Sequence, residues 1–456
     1  MSKKLIIPIE IKRRELDAAV NMSIKFLKNN WTVYLGQKQQ MFPFIKDFSR
    51  SVWFLKSIVP GENSILMKLK KNNHFISSLD VEGLVPSTGD YGVFQRYDDK
   101  GLNLSDIVFF WGKRHYNNLI NVYPQFKKKY FITGSPISDV WKKKYQLKKN
   151  KFPKILFIGS FPLINNKNDA QNYFNLSKSA FGKNLSKKNL KILRAEYDCQ
   201  KKSFKDHINF IEKLISKDKY DICIRPHPIE NANFWENFIS KFKSKKKIYV
   251  DNHTDLNKQI LESDIVIHFN STVSVQSTFN KKKTFMMYNN TYKKYYSVIN
   301  EIPLKLSSTY KNYEDFAKKV KNKTKKNNYI KKILYTEKNK ESSDLIYNVI
   351  EKKFSVDGNE NTKDPFNLKS IYSLIVYNLK KKIAYLIALI LKYFPITKNK
   401  FEFHLVSKSL GKQKWSELKK DELLNIFSNL SSDKKILRLI KIEKHLSGIF
   451  RLSISK

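Results

Sequence analysis

The chain has 456 residues, 41% hydrophobic and 14% aromatic, which is material for about three packed units and excludes a chain disordered overall. It carries 87 Lys and Arg against 41 Asp and Glu, a formal charge of +46. The excess is mostly Lys, spread over the whole length beside abundant Asn, as drift of an AT-rich genome would leave it. There is no zinc-finger spacing, RNP-type aromatic run or basic-zipper pattern, so nucleic acid is disfavoured and an anionic membrane surface is the partner this charge suits best.

The two cysteines, Cys199 and Cys223, lie far apart and suggest neither a disulfide framework nor a metal site, which fits a reducing cytoplasm. The apolar part of Met1–Glu10 is too short for a signal peptide. The segment 371–395 is the one membrane candidate. Its longest apolar run, Ile383 to Leu391, lies between Lys380-Lys381-Lys382 and Lys392. A spanning helix needs about 20 apolar residues, so the segment reads as an amphipathic or buried helix.

In chain order, Leu5–Ile11 reads as a buried strand, followed by a helix from about Leu16 to Asn29 and a strand Trp31–Gly36. A helix over 62–72 and strands at Phe75–Leu79, Ile107–Trp111 and Tyr130–Thr133 follow. A charged linker spans 142–153, and Lys154–Gly159 then opens a second alternation. Its helices are 203–216, 231–242, Leu256–Leu261 and 273–279; its strands are Asp221–Arg225, Lys247–Val250, Ile265–His268 and Thr284–Tyr288. Strands alternating with helices predict parallel, doubly wound sheets. The expected organisation is a Rossmann-like acceptor domain (1–148), a Rossmann-like donor domain (149–311) and a helical, Lys-rich C-terminal region (312–456) with a loop at Val356–Lys363. In such sheets ligands bind at the carboxyl ends of the strands.

Four constellations could carry chemistry. The strand Asp221–Arg225 delivers Arg225 and His227 at its end, with Pro226 and Pro228 stopping its continuation. An Arg fork and a positioned His donor suit phosphate oxygens. The strand Ile265–His268 runs into Asn270-Ser271-Thr272 and a helix, where hydroxyls can cap the helix and its N-terminus can receive an anion. Asp80 and Glu82 follow Phe75–Leu79 and would share a side if that strand continued; Glu82 is the first choice for a catalytic carboxylate, Asp80 the second. Arg14 and Glu15, at the first strand-to-helix junction, either favour the helix dipole or line the acceptor side. Gly159 and Ser160 open the second unit and are plausible donor contacts. No Asp-x-Asp motif or His/Cys cluster is found, which predicts a metal-independent, cofactor-free reaction.

Arg225-Pro226-His227-Pro228 with the later Ser/Thr turn resembles the donor half of bacterial surface carbohydrate biosynthesis proteins. These are similar to capsule Kdo transferases, bacterial polysialyltransferases and teichoic-acid glycerophosphotransferases. The opening Ile7–Ala18 resembles that family's N-terminal signature, as do Leu35-Gly36, Leu79–Leu84, Phe110-Trp111-Gly112, Thr133–Asp139 and Gln413-Lys414-Trp415. The resemblance covers nearly the whole chain. It implies a GT-B fold, two Rossmann-like domains facing a cleft with a helical C-terminal extension. It also implies a CMP- or CDP-activated donor held at His227, Ser271 and Thr272, and a glycan or lipid-linked glycan acceptor. Relatives usually carry Glu where this chain has Gln276, which can still bond a ribose hydroxyl; their Gly-Asn-Pro-Arg turn is here Gly134-Ser135-Pro136-Ile137. The activity implied is transfer of an acidic sugar, Kdo or a relative, onto a growing surface glycan. Polyol-phosphate transfer from a CDP-polyol uses the same elements, and a non-enzymatic basic glycan- or membrane-binding relative fits the two departures.

Overall fold

The structure is a computed structural model. It describes residues 3–84, 93–94, 96–142, 145, 147, 150–166, 187–322, 327–355, 379, 383, 418–431, 433–446 and 448–455. The loop at 356–363, Gln413-Lys414-Trp415 and all of 371–395 except Leu379 and Ile383 lie outside the described residues. Those of Met1–Gly83, Asp90–Lys143 and Lys331–Lys456 form one compact unit; those of Leu84–Gly89 and Lys144–Ile330 form the other.

The first unit is built on β1 (Lys4–Ile9), β2 (Thr32–Gln37), β3 (Val52–Leu55), β4 (Phe75–Leu79), β5 (Ile107–Phe110) and β6 (Tyr130–Ile132). These pair in parallel in the order β2-β1-β3-β4-β5-β6. β1, β3 and β5 are continuous apolar runs because both faces of such a sheet are covered. The sequence reading missed β3: four residues, Val52 to Leu55, are too short to show a period. All four are buried, and Trp53 is fully enclosed beside Phe44 and Phe110 in the unit's core.

The Lys-rich C-terminal region reads as helical in sequence. It does hold the helices Ser342–Lys353, Lys420–Leu430 and Lys434–Leu439. The structure closes it with strands, β13 (Ile440–Leu446) and β14 (Ile449–Ile454), and β14 pairs antiparallel with β2. The Lys and Glu residues that suggested a solvated helix alternate with Ile440, Ile442, Phe450 and Leu452, a period of two. The Thr133–Asp139 motif also serves this region. Asp139, buried and therefore raised in pKa, accepts from Ser342 N, Ser343 N and Ser343 Oγ at 2.9 Å each.

The second unit holds β7 (Lys154–Ile158), β8 (Asp221–Arg225), β9 (Ile248–Val250), β10 (Ile265–His268), β11 (Lys283–Met287) and β12 (Ser308–Tyr310). The sheet is fully parallel in the order β12-β11-β10-β7-β8-β9. Counted within the unit this is 6-5-4-1-2-3, the order of the doubly wound Rossmann sheet. The helix expected at 203–216 is the C-terminal half of a 30-residue helix, Lys187–Ser216. Its apolar face joins Phe157, Phe161, Trp235 and Phe269 in one aromatic core.

Candidate functional site

The register of the second sheet puts three chain exits side by side. Ile158 of β7 pairs with Arg225 of β8 on one side and with His268 of β10 on the other. The residues that follow, Gly159-Ser160, Pro226-His227 and Asn270-Ser271-Thr272, therefore leave one carboxyl edge together. The strand order reverses between β7 and β10, which is where such folds bind ligands.

The loop after β7 is held from inside. Gly159 N donates to the Arg225 carbonyl at 2.8 Å and Phe161 N to Glu230 Oε1 at 2.7 Å. Trp235 Nε1 donates to Glu230 Oε2 at 3.0 Å. Glu230 is fully buried; burial raises its pKa, while these donors favour the anion. A Cβ at Gly159 would lie 2.8 and 2.9 Å from the two Glu230 oxygens, so only glycine fits. Ser160 sits between two spent amides, and its own N–H and hydroxyl have no partner among the described residues.

The turn after β10 is set by Asn270, which takes the left-handed conformation at φ 50°. Its Nδ2 donates to the Val298 carbonyl at 3.0 Å and its Oδ1 accepts from Asn300 N at 2.7 Å. The short helix Val273–Phe279 follows. Sequence reasoning expected both hydroxyls to cap it. Ser271 Oγ accepts from Val273 N at 3.3 Å, whereas Thr272, the N-cap residue, makes no side-chain capping bond. The Thr272 N–H and hydroxyl are thus unspent among the described residues. Beneath them His268 is fully enclosed, bonds Ser307 Oγ through Nε2 at 2.8 Å and is lowered by burial to about 3. It shapes the turn as a neutral ring.

Arg225, Gln276 and His227 part company. Arg225 Nη1 donates to the Thr254 carbonyl at 2.5 Å and to Gln259 Oε1 at 2.7 Å, bracing the entry to the helix Leu256–Glu262. Gln276, expected near a ribose, is buried and donates to Asn257 Oδ1 at 3.0 Å, a contact between helices. His227 is exposed, and its Nδ1 accepts from Ile229 N at 3.4 Å. In that tautomer Nε2 carries the proton and is the outward donor.

In the first unit β4 ends at Leu79, so Asp80 to Leu84 is a turn. The alternation that would have put Asp80 and Glu82 on one side does not apply. Arg96 gathers them instead. Its Nε and Nη2 bond the two Asp80 oxygens at 2.7 and 2.5 Å, and its Nη1 bonds Glu82 Oε2 at 3.0 Å. Arg14 approaches Glu82 Oε1 with Nη1 and Nη2 at 3.3 Å each. Asp80 is 1% exposed and also receives Glu82 N at 3.0 Å, whereas the Glu82 side chain is 35% exposed. Of the two acids, Glu82 is the one a substrate can reach. The turn packs on His115: a Cβ at Gly83 would fall 2.3 Å from its ring. His115 is lowered by burial to about 4 and bonds Tyr97 Oη through Nε2 at 2.9 Å.

Glu15 touches this group through Arg14, whose Nη2 lies 3.4 Å from its Oε1. Its oxygens also accept from Glu10 N at 2.9 Å and Ile11 N at 3.2 Å, capping the start of its own helix, Lys12–Lys28. Burial raises its pKa. Arg96 and Glu230 were missed from sequence. Glu230 lies three residues after His227 and Arg96 fourteen after Glu82, and neither spacing is a motif. Among the described residues no His/Cys/Asp/Glu group is placed to hold a metal, and no helix is long and apolar enough to cross a membrane.

No protein-family model and no curated protein matches this sequence. Solved structures do. A Listeria monocytogenes protein assigned as a UDP-N-acetylglucosamine 2-epimerase aligns over 80% of this chain and 100% of its own, with a TM-score of 0.50 at 8% identity. What is shared is the fold. The UDP-GlcNAc 2-epimerase of Methanocaldococcus jannaschii aligns over 77% of this chain and 100% of its own, at TM-score 0.49 and 13% identity. The UDP-bound MnaA of S. aureus aligns over 79% and 100%, at TM-score 0.48 and 12% identity. The Listeria protein is similar to the chain as two Rossmann-like α/β units.

Proposed function

We propose that this chain is a sugar-nucleotide enzyme of surface-carbohydrate synthesis, a glycosyltransferase that moves an acidic sugar of the Kdo class from a CMP-activated donor to a glycan or lipid-linked glycan. Its place of work is the cytoplasmic face of the cell membrane. The supporting observation is the carboxyl edge of the second sheet, where Ser160, the Ser271–Thr272 turn and the His227 Nε2 donor follow three adjacent strands. None of the residues Gly159–Leu163, Pro226–Pro228 or Phe269–Val273 is Lys or Arg. Neutral hydroxyls and N–H groups suit the single charge of a CMP-sugar phosphodiester better than a diphosphate, which favours cationic partners.

On the second unit, Ser160, Ser271 and Thr272 are the donors that would offset the charge on the CMP phosphate as its bond to the anomeric carbon breaks and an acceptor oxygen bonds that carbon. On the first unit, Glu82 is the carboxylate proposed as the base that takes an acceptor hydroxyl's proton. Arg14 and Arg96 position Glu82; Asp80 acts on it through Arg96.

The test is calorimetric titration of CMP, CDP and UDP, with CMP release from CMP-Kdo as the activity. CMP binding that is lost in His227→Ala and in Ser160→Ala supports the reading. Tight binding of UDP alone, with interconversion of UDP-GlcNAc at C2, would overturn it in favour of epimerisation. Tight binding of a CDP-polyol alone would select polyol-phosphate transfer.

A further inference from the structure

The helices Lys420–Leu430 and Lys434–Leu439 carry a surface that the proposed reaction does not use. Between the helix Lys420–Leu430 and the segment Lys434–Ile440 lies an open groove of about 360 Å³, lined by Leu424, Phe427, Leu437 and Ile440 with Asn425 and Ser428. Leu424, which lines the groove, is 42% exposed, and Leu439, which lies in sequence between the lining residues Leu437 and Ile440, is exposed to the same extent. A single exposed leucine needs no explanation, but one that opens onto an apolar groove extends an apolar patch.

Charge surrounds the patch. From Leu418 to Ser455 the chain has eight Lys or Arg against four Asp or Glu. Three of the acids are already paired: Glu422 with Lys12, Asp433 with Lys28, and Glu443 with Lys441 and Arg451. Lys420, Lys435 and Arg438 are exposed and have no ion pair among the described residues. Lys420 lies one turn before Leu424 on the same helix face, and Lys435 one turn before Leu439. The support is rigid. Leu423 and Phe427 are buried, Lys12 ties the first helix to Glu422, and β14 is bonded to β2.

We infer that this pair of helices is a docking surface for an anionic lipid bilayer, with Leu424 and Leu439 entering the headgroup boundary and Lys420, Lys435 and Arg438 meeting lipid phosphates. The inference rests on the membrane location in the proposed function but not on the reaction, so vesicle binding and turnover can fail separately. Nucleic acid would answer the cations and leave the groove uncovered; a second copy would answer the groove and bring more positive charge to it.

The experiment uses the full chain and vesicles of phosphatidylcholine, alone or mixed with phosphatidylglycerol. Cys199 and Cys223 are buried, so an environment-sensitive fluorophore on Leu424→Cys labels one site. The expected result is a blue-shifted, brighter emission with the mixed vesicles and none with phosphatidylcholine alone. In sedimentation, Leu424→Ser/Leu439→Ser should weaken binding several-fold and Lys420→Glu/Lys435→Glu/Arg438→Glu at least tenfold, each lysine or arginine near the surface counting for roughly fivefold. Lys241→Glu/Lys243→Glu/Lys245→Glu, an equal charge change on exposed residues of the second unit, should matter little. Equal loss in both charge variants, or wild-type binding by the serine variant, would overturn the inference. So would a concentration-dependent dimer that the serine variant abolishes. The replaced leucines are half-exposed, and unchanged melting of the serine variant separates docking from folding.

Discussion

Both carboxylate oxygens of Glu230 stand where a side chain on Gly159 would begin, 2.8 and 2.9 Å from the position of its Cβ. They cannot withdraw, because Phe161 N and Trp235 Nε1 hold one each. The exit of β7 is therefore shaped by a buried acid whose partners are all internal. Gly159→Ala should destabilise the protein by about 1–3 kcal/mol, the usual range for a core clash, and weaken CMP binding by moving Ser160. Glu230→Gln keeps the shape but turns an NH2 toward a donor, and should cost about 1–3 kcal/mol. Urea denaturation of both variants checks this; a neutral Gly159→Ala would refute the brace.

Asn270 combines a left-handed backbone with two side-chain bonds, to Val298 O and from Asn300 N. Asn270→Gly keeps the backbone and loses both bonds, about 1–3 kcal/mol together. Asn270→Ala loses the bonds and adds roughly 1 kcal/mol of backbone strain. The expected stability order is Asn, then Gly, then Ala. Equal losses for Gly and Ala would mean that φ is not the constraint.

Glu82 and Asp80 should separate stability from turnover. Glu82→Gln alters a half-exposed group and should change unfolding free energy by less than about 1 kcal/mol, while reducing turnover about 10²–10⁴-fold if Glu82 is the base. Arg96→Met should cost about 3 kcal/mol, because it strips a buried Asp80 of its cation. Adding Asp80→Asn should recover part of that loss. A turnover unaffected by Glu82→Gln would remove it from the mechanism.

Three enclosed imidazoles give a pH signature. Burial lowers His115 and His207 to about 4 and His268 to about 3. Their folded pKa values lie below the unfolded value near 6.5, so the unfolded chain takes up protons first. The stability they contribute is present above pH 6.5 and drains away as pH falls toward 4, by roughly 3 kcal/mol for each at that limit. Glu15 and Glu230, raised by burial, act with the opposite sign. His207 packs among Phe157, Phe161 and Phe269 at 5.4–5.9 Å between ring centres. His207→Phe should flatten the stability profile between pH 6.5 and 4 relative to wild type; an unchanged slope would show that His207 titrates normally.

The sequence by itself determined the elements whose signal is local. Apolar runs marked β1, β5, β7, β8 and β10, and the charged stretch before Lys154 marked the start of the second alternation. Strand ends punctuated by Gly, Pro or Asn place Ser160, His227 and Ser271 at a carboxyl edge from sequence alone. Periodicity works there because each residue's burial follows from neighbours two to four positions away. Tertiary structure alone decided which strands are adjacent, and hence that β7 and β10 flank the reversal in strand order. It also decided which side chains are already spent: Arg225 on Thr254 and Gln259, Gln276 on Asn257, Glu15 on its own helix start. It brought Arg96 to Asp80 and Glu82, Glu230 under Gly159, and β14 to the edge of β2 from more than 400 residues away. Those contacts depend on long-range geometry and on competition for hydrogen-bond partners, and neither leaves a mark in the spacing of residues along the chain.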